Sequence, residues 1–258
     1  DSSPTLTAGL IAGIRKAGVN VLDAGTVPTP VLYWTEAMHD VEAGVEITGS
    51  HNPSEWNGIK MSVKGGALYG DAIQNLRARI EEGDLDSGDG SYEEVDVIDD
   101  YVTNVSQRFE LGRPMRVAVD CGNGTASLVA EELMQALGVT VTPLFCESDP
   151  TFPNHHPDPT VDDNLQELIT TVEASDHDLG VAFDGDGDRL GVVDERGSII
   201  RGDLLLLLYG LDLLSKRGAG QSLIFDVKCS QVVAEVFSKA GGQPIMWKTG
   251  HSLIKKKM

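Results

Sequence analysis

Three aspartates at alternating positions carry the clearest chemistry in this sequence. Asp184, Asp186 and Asp188 are separated by single glycines and are followed directly by Arg189. Because glycine lets the backbone bend, the three carboxylates can converge instead of pointing to opposite faces of a strand. Converging carboxylates repel one another unless a cation lies among them, and oxygen ligands of this kind suit Mg²⁺ or Ca²⁺. The pattern therefore predicts a divalent metal site.

Two other interpretations of this segment stay open. The first is a solvated acidic turn in an acidic protein. The second is an EF-hand calcium loop, because these acids together with Glu195 have the spacing of its ligands. However, Arg189 stands where that loop needs glycine, and the flanking segments have the pattern of strands and not of helices. A catalytic metal loop is the favoured interpretation.

A second polar segment also follows a predicted strand. Residues 179–183 are an apolar run that ends where the acids begin, and residues 44–48 form a strand that ends at Ser50 and His51. In open α/β sheets, ligands bind at the edge where strands end. Lys60 follows closely enough to return to that loop. Ser50 is thus a candidate nucleophile, although no G-x-S-x-G elbow is present, which argues against an ordinary hydrolase.

The chemistry predicted for Ser50 is phosphoryl transfer. A free serine is a poor nucleophile and needs a base, a metal or prior phosphorylation. A phosphate on Ser50 would add a charge of about −1.5 to −2 and strong acceptor oxygens, one of which a metal held by the aspartates could bind. Lys60 and Arg189 would then neutralise the remaining charge. The Ser-His-Asn-Pro segment is a weak signal alone, but it is strong together with the acidic segment.

The elements that must position these residues repeat along the chain. A helix, a glycine and a strand follow one another around Gly18, Gly138 and Gly241. This repetition indicates three related α/β units of domain size. We place their bounds at 1–96, 97–199 and 200–258. Two further segments favour ordinary structure: residues 120–125 lack the G-x-G-x-x-G and P-loop patterns, and His155 with His156 favours loop packing over metal binding.

Composition limits the partners. The chain has 258 residues with forty Asp and Glu against twenty Lys and Arg, a formal net charge of −20. That charge repels nucleic acid and anionic membrane surfaces. The leucine run at 204–208 is bracketed too closely by Asp203 and Asp212 to span a membrane, so it predicts a buried helix. Three widely spaced cysteines fit a reducing cytosol. We expect a cytoplasmic protein that binds neither nucleic acid nor membrane.

The sequence resembles the α-D-phosphohexomutase superfamily, and within it the bacterial phosphomannomutase/phosphoglucomutase branch. Residues 48–53 (TGSHNP) are similar to the phosphoserine loop of that family, and residues 184–189 (DGDGDR) to its metal loop. Residues 225–229 and 247–252 are similar to segments of its third domain. The resemblance covers essentially the whole chain.

The resemblance implies an isomerase that moves phosphate between the 1- and 6-hydroxyls of mannose and/or glucose through a bisphosphorylated sugar. It implies one Mg²⁺ per active site, held by the three aspartates and the phosphate on Ser50, and an activator of the glucose 1,6-bisphosphate type. By the same match, Arg189 holds the phosphoserine region, and His51 and Lys60 handle protons and charge. Lys228 and His251 would contact the phosphate of the sugar.

The family has three similar mixed-sheet α/β domains and a fourth around one cleft. Against that pattern we expect this chain to be cut at both ends, with the third domain incomplete and the fourth absent, and to have little or no activity alone. The alternatives are a phosphoglucosamine mutase, a metal-dependent phosphatase using the same serine and aspartates, and a Ca²⁺-stabilised binding module. The sequence does not decide between a monomer and a dimer.

Overall fold

The computed structural model describes residues 2–53, 55–64 and 66–258. The chain divides into two compact units, Asp1–Ser198 and Ile199–Met258. Helices and strands alternate along both units. The helices are α1 Ser3–Lys16, α2 Thr29–Met38, α3 Asp71–Glu82, α4 Ile98–Ser106, α5 Ala130–Ala136, α6 Gln166–Ala174, α7 Gly202–Arg217, α8 Gln231–Lys239 and α9 His251–Lys257.

The strands are mostly short. They are β1 Val21–Asp23, β2 Ala43–Ile47, β3 Ile59–Val63, β4 Gly66–Ala67, β5 Tyr92–Glu94, β6 Met115–Asp120, β7 Val139–Leu144, β8 Leu179–Phe183, β9 Leu190–Asp194, β10 Ile199–Ile200, β11 Ser222–Asp226 and β12 Gln243–Trp247. Single turns of 3₁₀ helix at Thr125–Leu128 and Asp162–Leu165 precede α5 and α6. The mixed α/β fold class expected from the sequence is confirmed.

The main sheet of the first unit has β6 near its centre. Its strands follow the order β9-β8-β6-β7, with β6 parallel to both β7 and β8 and with β9 antiparallel to β8. Because β6 and β8 are parallel, Asp120 at the end of β6 and Asp184 just after β8 lie at the same edge. A separate antiparallel sheet, β2-β3-β4, carries the segments on either side of Ser50.

Packing against α6 fixes β8, the strand that leads into the acids. Leu168 and Val172 of this helix are fully buried. Both lie over Gly180, where an added Cβ would come within 2.8 Å of either side chain. Any larger residue at Gly180 would push the helix from the sheet, since packed interiors have little free volume. The strand therefore enters the acidic segment from a rigid base.

The repeated helix-glycine-strand pattern has the same geometry in each copy. The φ values of Gly18, Gly138 and Gly241 are +85°, +82° and +90°. Each glycine directly follows the C-cap residue of a helix. This left-handed conformation ends helices and favours glycine because a Cβ would be strained there. The three copies end α1, α5 and α8 and turn the chain into the next strand.

The second unit is a two-stranded parallel sheet, β11-β12, with helices packed against it. Six side chains form its buried core, namely Leu207, Leu214, Leu223, Phe225, Val233 and Phe237. The predicted leucine helix is present as part of α7, but the expectation that it is buried was wrong on one side. Leu204 and Leu208 are 40% and 54% exposed, because a helix beside a two-stranded sheet can bury only one face. In the described part of the chain, no helix combines the length and apolarity that a bilayer crossing requires.

Three further features differ from the sequence-based expectations. β5 was not predicted, since its three residues are all exposed, yet it pairs in parallel with β1. The sequence pattern predicts a helix from about Asp99 to Glu110, but α4 ends at Ser106. The widely spaced Cys121 and Cys146 come together, with their Sγ atoms 3.1 Å apart as free thiols.

Candidate active site

The structure brings the three aspartates together in the loop between β8 and β9. One carboxylate oxygen from each of Asp184, Asp186 and Asp188 lies within 4.8 Å of the others. Asp184 and Asp186 are buried, at 0% and 3% exposure, whereas Asp188 reaches solvent. Across the described ranges, no other group of His, Cys, Asp and Glu side chains forms a comparable cluster. Residues 184–189 are called the acid loop below.

The acid loop has its shape because its glycines permit it. Gly187 adopts a left-handed φ of +71°, and its N–H donates to the carbonyl of Asp184 at 3.0 Å. At Gly185 an added Cβ would lie 2.2 Å from the carbonyl oxygen of Ser50. Any other residue at Gly185 would force the two segments apart. The N–H of Arg189 donates to Oδ1 of Asp184 at 3.0 Å and closes the loop.

Ser50 lies directly against this loop. Residues 48–53, called the serine loop, follow β2, and Ser50 itself has an unusual φ of +52°. Its N–H donates to Oγ1 of Thr48 at 2.9 Å, and Thr48 donates in turn to Oδ2 of Asp186 at 3.1 Å. Backbone strain of this kind persists only where surrounding contacts enforce it, and it is concentrated at functional sites.

The hydroxyl of Ser50 has two partners for its one proton. Oγ lies 2.9 Å from Oδ2 of Asp184 and 3.1 Å from Nδ1 of His51. Nη1 of Arg189 lies 2.7 Å from the same ring nitrogen. The same Nη1 also lies 3.1 Å from Nε2, and because a guanidinium only donates, it contacts whichever ring nitrogen of His51 is the acceptor.

Lys60 is the cation at the centre of the cluster. It lies on β3, and its Nζ donates to Oδ2 of Asp186 at 2.6 Å and to Oδ2 of Asp188 at 2.9 Å. Burial acts to lower the pKa of Lys60, but these two carboxylates outweigh burial and raise it. Lys60 therefore stays an ammonium group.

Burial and mutual repulsion set the protonation of the acids. Burial, and after it the charge of Asp186, raise the pKa of Asp184 to about 6. Burial also acts to raise the pKa of Asp186, but the hydrogen bond and charge of Lys60 outweigh it, and the net direction is downward. Of the two buried acids, Asp184 is thus the one that holds a proton more readily.

The donors present fit a hard divalent cation. Oδ1 of Asp186 is buried and has no hydrogen-bond partner among the described residues. A buried carboxylate oxygen without a partner is costly, and a cation among the three acids would satisfy it. Carboxylate oxygens are the ligands that Mg²⁺ uses, commonly together with a phosphate.

Sequence reasoning missed three residues that contact this site. Thr29 is fully buried, and its Oγ1 lies 3.2 Å from Nζ of Lys60 and 2.8 Å from Oε2 of Glu46. Asp158 lies farther out, with Oδ2 3.8 Å from Nε2 of His51. Only Glu46 left a signal in the sequence, as a charged residue inside an otherwise apolar strand. The others lie in loops or at a helix start whose patterns are ordinary.

The histidine pair predicted to pack in a loop lies near the same edge of the sheet. Nε2 of His155 lies 3.0 and 3.2 Å from the two carboxylate oxygens of Asp120. Asp120 is fully buried and also accepts from the N–H of Gly122 at 2.8 Å. The contact between His155 and Asp120 joins the end of β6 to the loop around residue 155.

Lys228 and His251 belong to the second unit. The backbone N–H of Lys228 donates to Oδ1 of Asp226 at 2.7 Å just after β11. His251 begins α9, and its Nε2 lies 3.2 Å from Oγ of Ser252. Because β11 and β12 are parallel, both residues follow strands that end at one edge of this sheet. All the other predicted site residues lie together in the first unit.

Three consecutive parts of the chain match known domains. Residues 1–87 match the α/β/α domain I of phosphoglucomutase/phosphomannomutase, residues 98–197 match domain II, and residues 201–258 match domain III. Together these matches cover nearly the whole chain.

Characterised relatives and solved structures agree with these matches. A Pseudomonas aeruginosa phosphomannomutase/phosphoglucomutase is 51% identical over 257 residues, which cover 100% of this chain and 55% of that relative. A phosphoglucomutase from Neisseria meningitidis serogroup B is 45% identical, covering 98% and 55%. The crystal structure of a phosphoglucomutase/phosphomannomutase family protein from Burkholderia thailandensis superposes with a TM-score of 0.94 at 46% identity, covering 98% of this chain and 57% of that one. The chain thus spans about half the length of these relatives.

Proposed function

The chain belongs to the phosphoglucomutase/phosphomannomutase family of the α-D-phosphohexomutase superfamily. We therefore propose that the protein acts as a phosphohexomutase. This isomerase would interconvert the 1-phosphate and the 6-phosphate of a hexose, mannose and/or glucose, by phosphoryl transfer through Ser50. The names of the relatives support this substrate class. The alternative with glucosamine phosphate has no comparable support among the relatives of high identity.

The observation that carries the proposal is the contact between the two loops. The hydroxyl oxygen of Ser50 lies 2.9 Å from a buried carboxylate of the acid loop. Asp184, Asp186, Asp188 and a phosphate on Ser50 would hold one Mg²⁺. When bound, this ion would polarise the phosphoryl oxygens and offset their charge. A phosphatase could use the same groups, but the similarity over the whole chain favours the mutase.

The proposed reaction uses Ser50 as a phosphate carrier. The bond between phosphorus and Oγ of phosphorylated Ser50 breaks as a bond forms between phosphorus and the free hydroxyl of the sugar, and the proton of that hydroxyl ends on Oγ of Ser50. The product is a bisphosphorylated sugar, and after it reorients, Ser50 takes the other phosphate. A compound of the glucose 1,6-bisphosphate type would phosphorylate an unmodified Ser50.

His51 and Lys60 would divide the proton and the charge between them. Nδ1 of His51 lies 3.1 Å from Oγ of Ser50, and in the tautomer that leaves Nδ1 without a proton it would take the serine proton when Ser50 accepts phosphate. Lys60 keeps its proton because its carboxylate partners raise its pKa. It would therefore stabilise negative charge rather than act as a base. Arg189 would hold His51 and the phosphate of Ser50.

The second unit would contribute to substrate binding. We propose that Lys228 and His251 contact the phosphate of the sugar, in keeping with their place after two parallel strands. The division at 1–96, 97–199 and 200–258 belongs to this proposal, as does a location in the cytoplasm. We propose no nucleic-acid or membrane partner, and the proposal makes no choice between a monomer and a dimer.

Mass spectrometry of the full-length protein tests the proposal. After incubation with glucose 1,6-bisphosphate and Mg²⁺, we expect an added mass of about 80 Da, one phosphoryl group, located on Ser50 by peptide fragmentation. The control is Ser106→Ala, which removes a hydroxyl bonded only within α4 and should still be labelled. An unlabelled Ser50 would overturn the proposal.

The rival functions give different results in the same experiment. A phosphatase would release phosphate steadily to water without any need for a bisphosphorylated sugar. A Ca²⁺-stabilised module would gain thermal stability from Ca²⁺, and Ser50→Ala would change no reaction.

A further inference from the structure

Glu46 is a carboxylate beside the site that the proposed reaction does not use. It lies on β2, directly opposite Lys60 of β3 in the antiparallel pair, and it is half-buried. Burial raises the pKa of Glu46 to about 7, against a smaller opposing effect of its hydrogen bond from Thr29. Burying a carboxylate at this position is costly unless it is hydrogen-bonded and paired with a positive charge.

The hydroxyl of Thr29 connects Glu46 to Lys60. Its single proton is donated to Oε2 of Glu46 at 2.8 Å. A lone pair of the same oxygen therefore remains for the Lys60 ammonium at 3.2 Å. Thr29 is fully buried, so water does not compete for these bonds. The orientation of this hydroxyl follows from the acid behind it.

The Lys60 ammonium has three N–H groups and three partners, which are Asp186, Asp188 and Thr29. Two of these partners are proposed metal ligands. A divalent cation among the aspartates would lie close to this positive charge, because Lys60 already binds Oδ2 of two of the same side chains. The cation binds well only if the ammonium group can move toward its third partner, where Glu46 supplies negative charge.

We propose that Glu46, acting through the hydroxyl of Thr29, is a positioning residue that draws the Lys60 ammonium away from Asp186 and Asp188 when a divalent cation binds there. The inference rests on the metal site of the proposed function and is independent of phosphoryl transfer.

The test measures the Mn²⁺ affinity of the full-length protein by electron paramagnetic resonance, with Ser50 unphosphorylated. At about pH 8, above the raised pKa of Glu46, we expect Glu46→Gln and Thr29→Val each to weaken binding about fivefold to tenfold. Thr29→Val leaves the Glu46 side chain in place and removes the hydroxyl that connects it to Lys60. The matched control is Glu36→Gln, because Glu36 is also half-buried and accepts a hydroxyl proton, from Ser62.

A second background separates positioning from charge and from structure. In Lys60→Met, adding Glu46→Gln should cause no further loss of Mn²⁺ affinity, because the group that Glu46 positions is gone. An equal loss in that background, or no loss in Thr29→Val, would show a direct effect of charge and overturn the inference.

Three other outcomes also decide the matter. Equal weakening by Glu36→Gln would make the effect a general structural one and would overturn the inference. If the protein without substitutions binds Mn²⁺ and neither Glu46→Gln nor Thr29→Val alters the affinity, the inference fails while the metal site stands. If it binds none, the proposed metal site fails first.

Discussion

The acid loop and the serine loop meet at one point, yet the protein holds them differently. Asp184 and Asp186 of the acid loop are almost completely buried. The backbone carbonyls of this loop accept from Thr29 at 2.9 Å and from Thr125 at 3.0 Å. The serine loop is half-buried at Ser50 and exposed at Asn52, and Trp56 shortly after it is 67% exposed.

This difference matches the two tasks proposed for the loops. Two of the three proposed metal ligands, Asp184 and Asp186, are held away from water, where preorganised charges act most strongly. A serine that exchanges phosphate with a sugar must be reached by that sugar. The serine loop therefore trades burial for access, and the contacts of Thr48 keep the strained conformation of Ser50 in position.

The largest expected effect distinguishes the role of the serine loop from that of the acid loop. Ser50→Ala should abolish labelling by glucose 1,6-bisphosphate and reduce turnover of the full-length enzyme by about ten-thousandfold or more. Because the acid loop is held by other contacts, Mn²⁺ affinity of the unphosphorylated protein should change by about twofold or less. A large loss of Mn²⁺ binding in Ser50→Ala would show that the two loops are one unit.

The next effect is loss of the cation. Asp184→Asn should weaken Mn²⁺ binding by at least about a hundredfold, since even contacts that only support metal ligands are worth up to about that much. The same change removes a buried charge, so metal-free unfolding should be unchanged or shifted toward higher stability by about 1 kcal/mol.

Asp163→Asn is the control for that experiment, because Asp163 is an exposed acid outside the cluster. It should leave both the affinity and the stability unchanged. Unaltered Mn²⁺ binding in Asp184→Asn would contradict the assignment of the acid loop.

A smaller change acts where the loops touch. Gly185→Ala places a Cβ against the carbonyl of Ser50, and relieving this clash should cost about 1–3 kcal/mol of unfolding free energy. Labelling of Ser50 should fall as well. Gly112→Ala is the control, because nothing lies within 4 Å of its Cβ position. Equal stabilities of the two variants by urea unfolding would show that the contact is not tight.

The smallest effect is the pH dependence of the acid loop. Burial and then Asp186 raise the pKa of Asp184 from its ordinary 3.8 to about 6. The stability that neutral Asp184 contributes is present below pH 3.8 and is lost as pH rises through 6. Cation binding needs the charged form, so Mn²⁺ affinity should rise by at most about tenfold per pH unit up to pH 6 and then level off.

This profile is measured by Mn²⁺ titration of the metal-free protein in Glu46→Gln, which removes the second carboxyl that burial makes titrate in this range. An affinity that does not change between about pH 5 and pH 7 would contradict the raised pKa of Asp184.

Much of the site could be predicted because its signals are local. Alternating aspartates and glycines specify a loop that can turn its carboxylates inward, and a Ser-His pair after a strand marks a candidate nucleophile. The glycines that end α1, α5 and α8 likewise mark the repeat, since a left-handed residue is a property of the chain itself. The surface of the leucine helix was not predictable in this way, because only its neighbours decide which face is buried.

Local sequence patterns predicted the candidate reacting groups, the α/β repeats and the family, because each of these depends on residues close together in the chain. The tertiary structure decided which of those groups meet and how they are charged. Thr29, Glu46 and Lys60 come from three separate elements, and their contact follows from strand register and helix packing. The pKa values of Asp184 and Glu46 depend on burial, which no short segment of sequence contains.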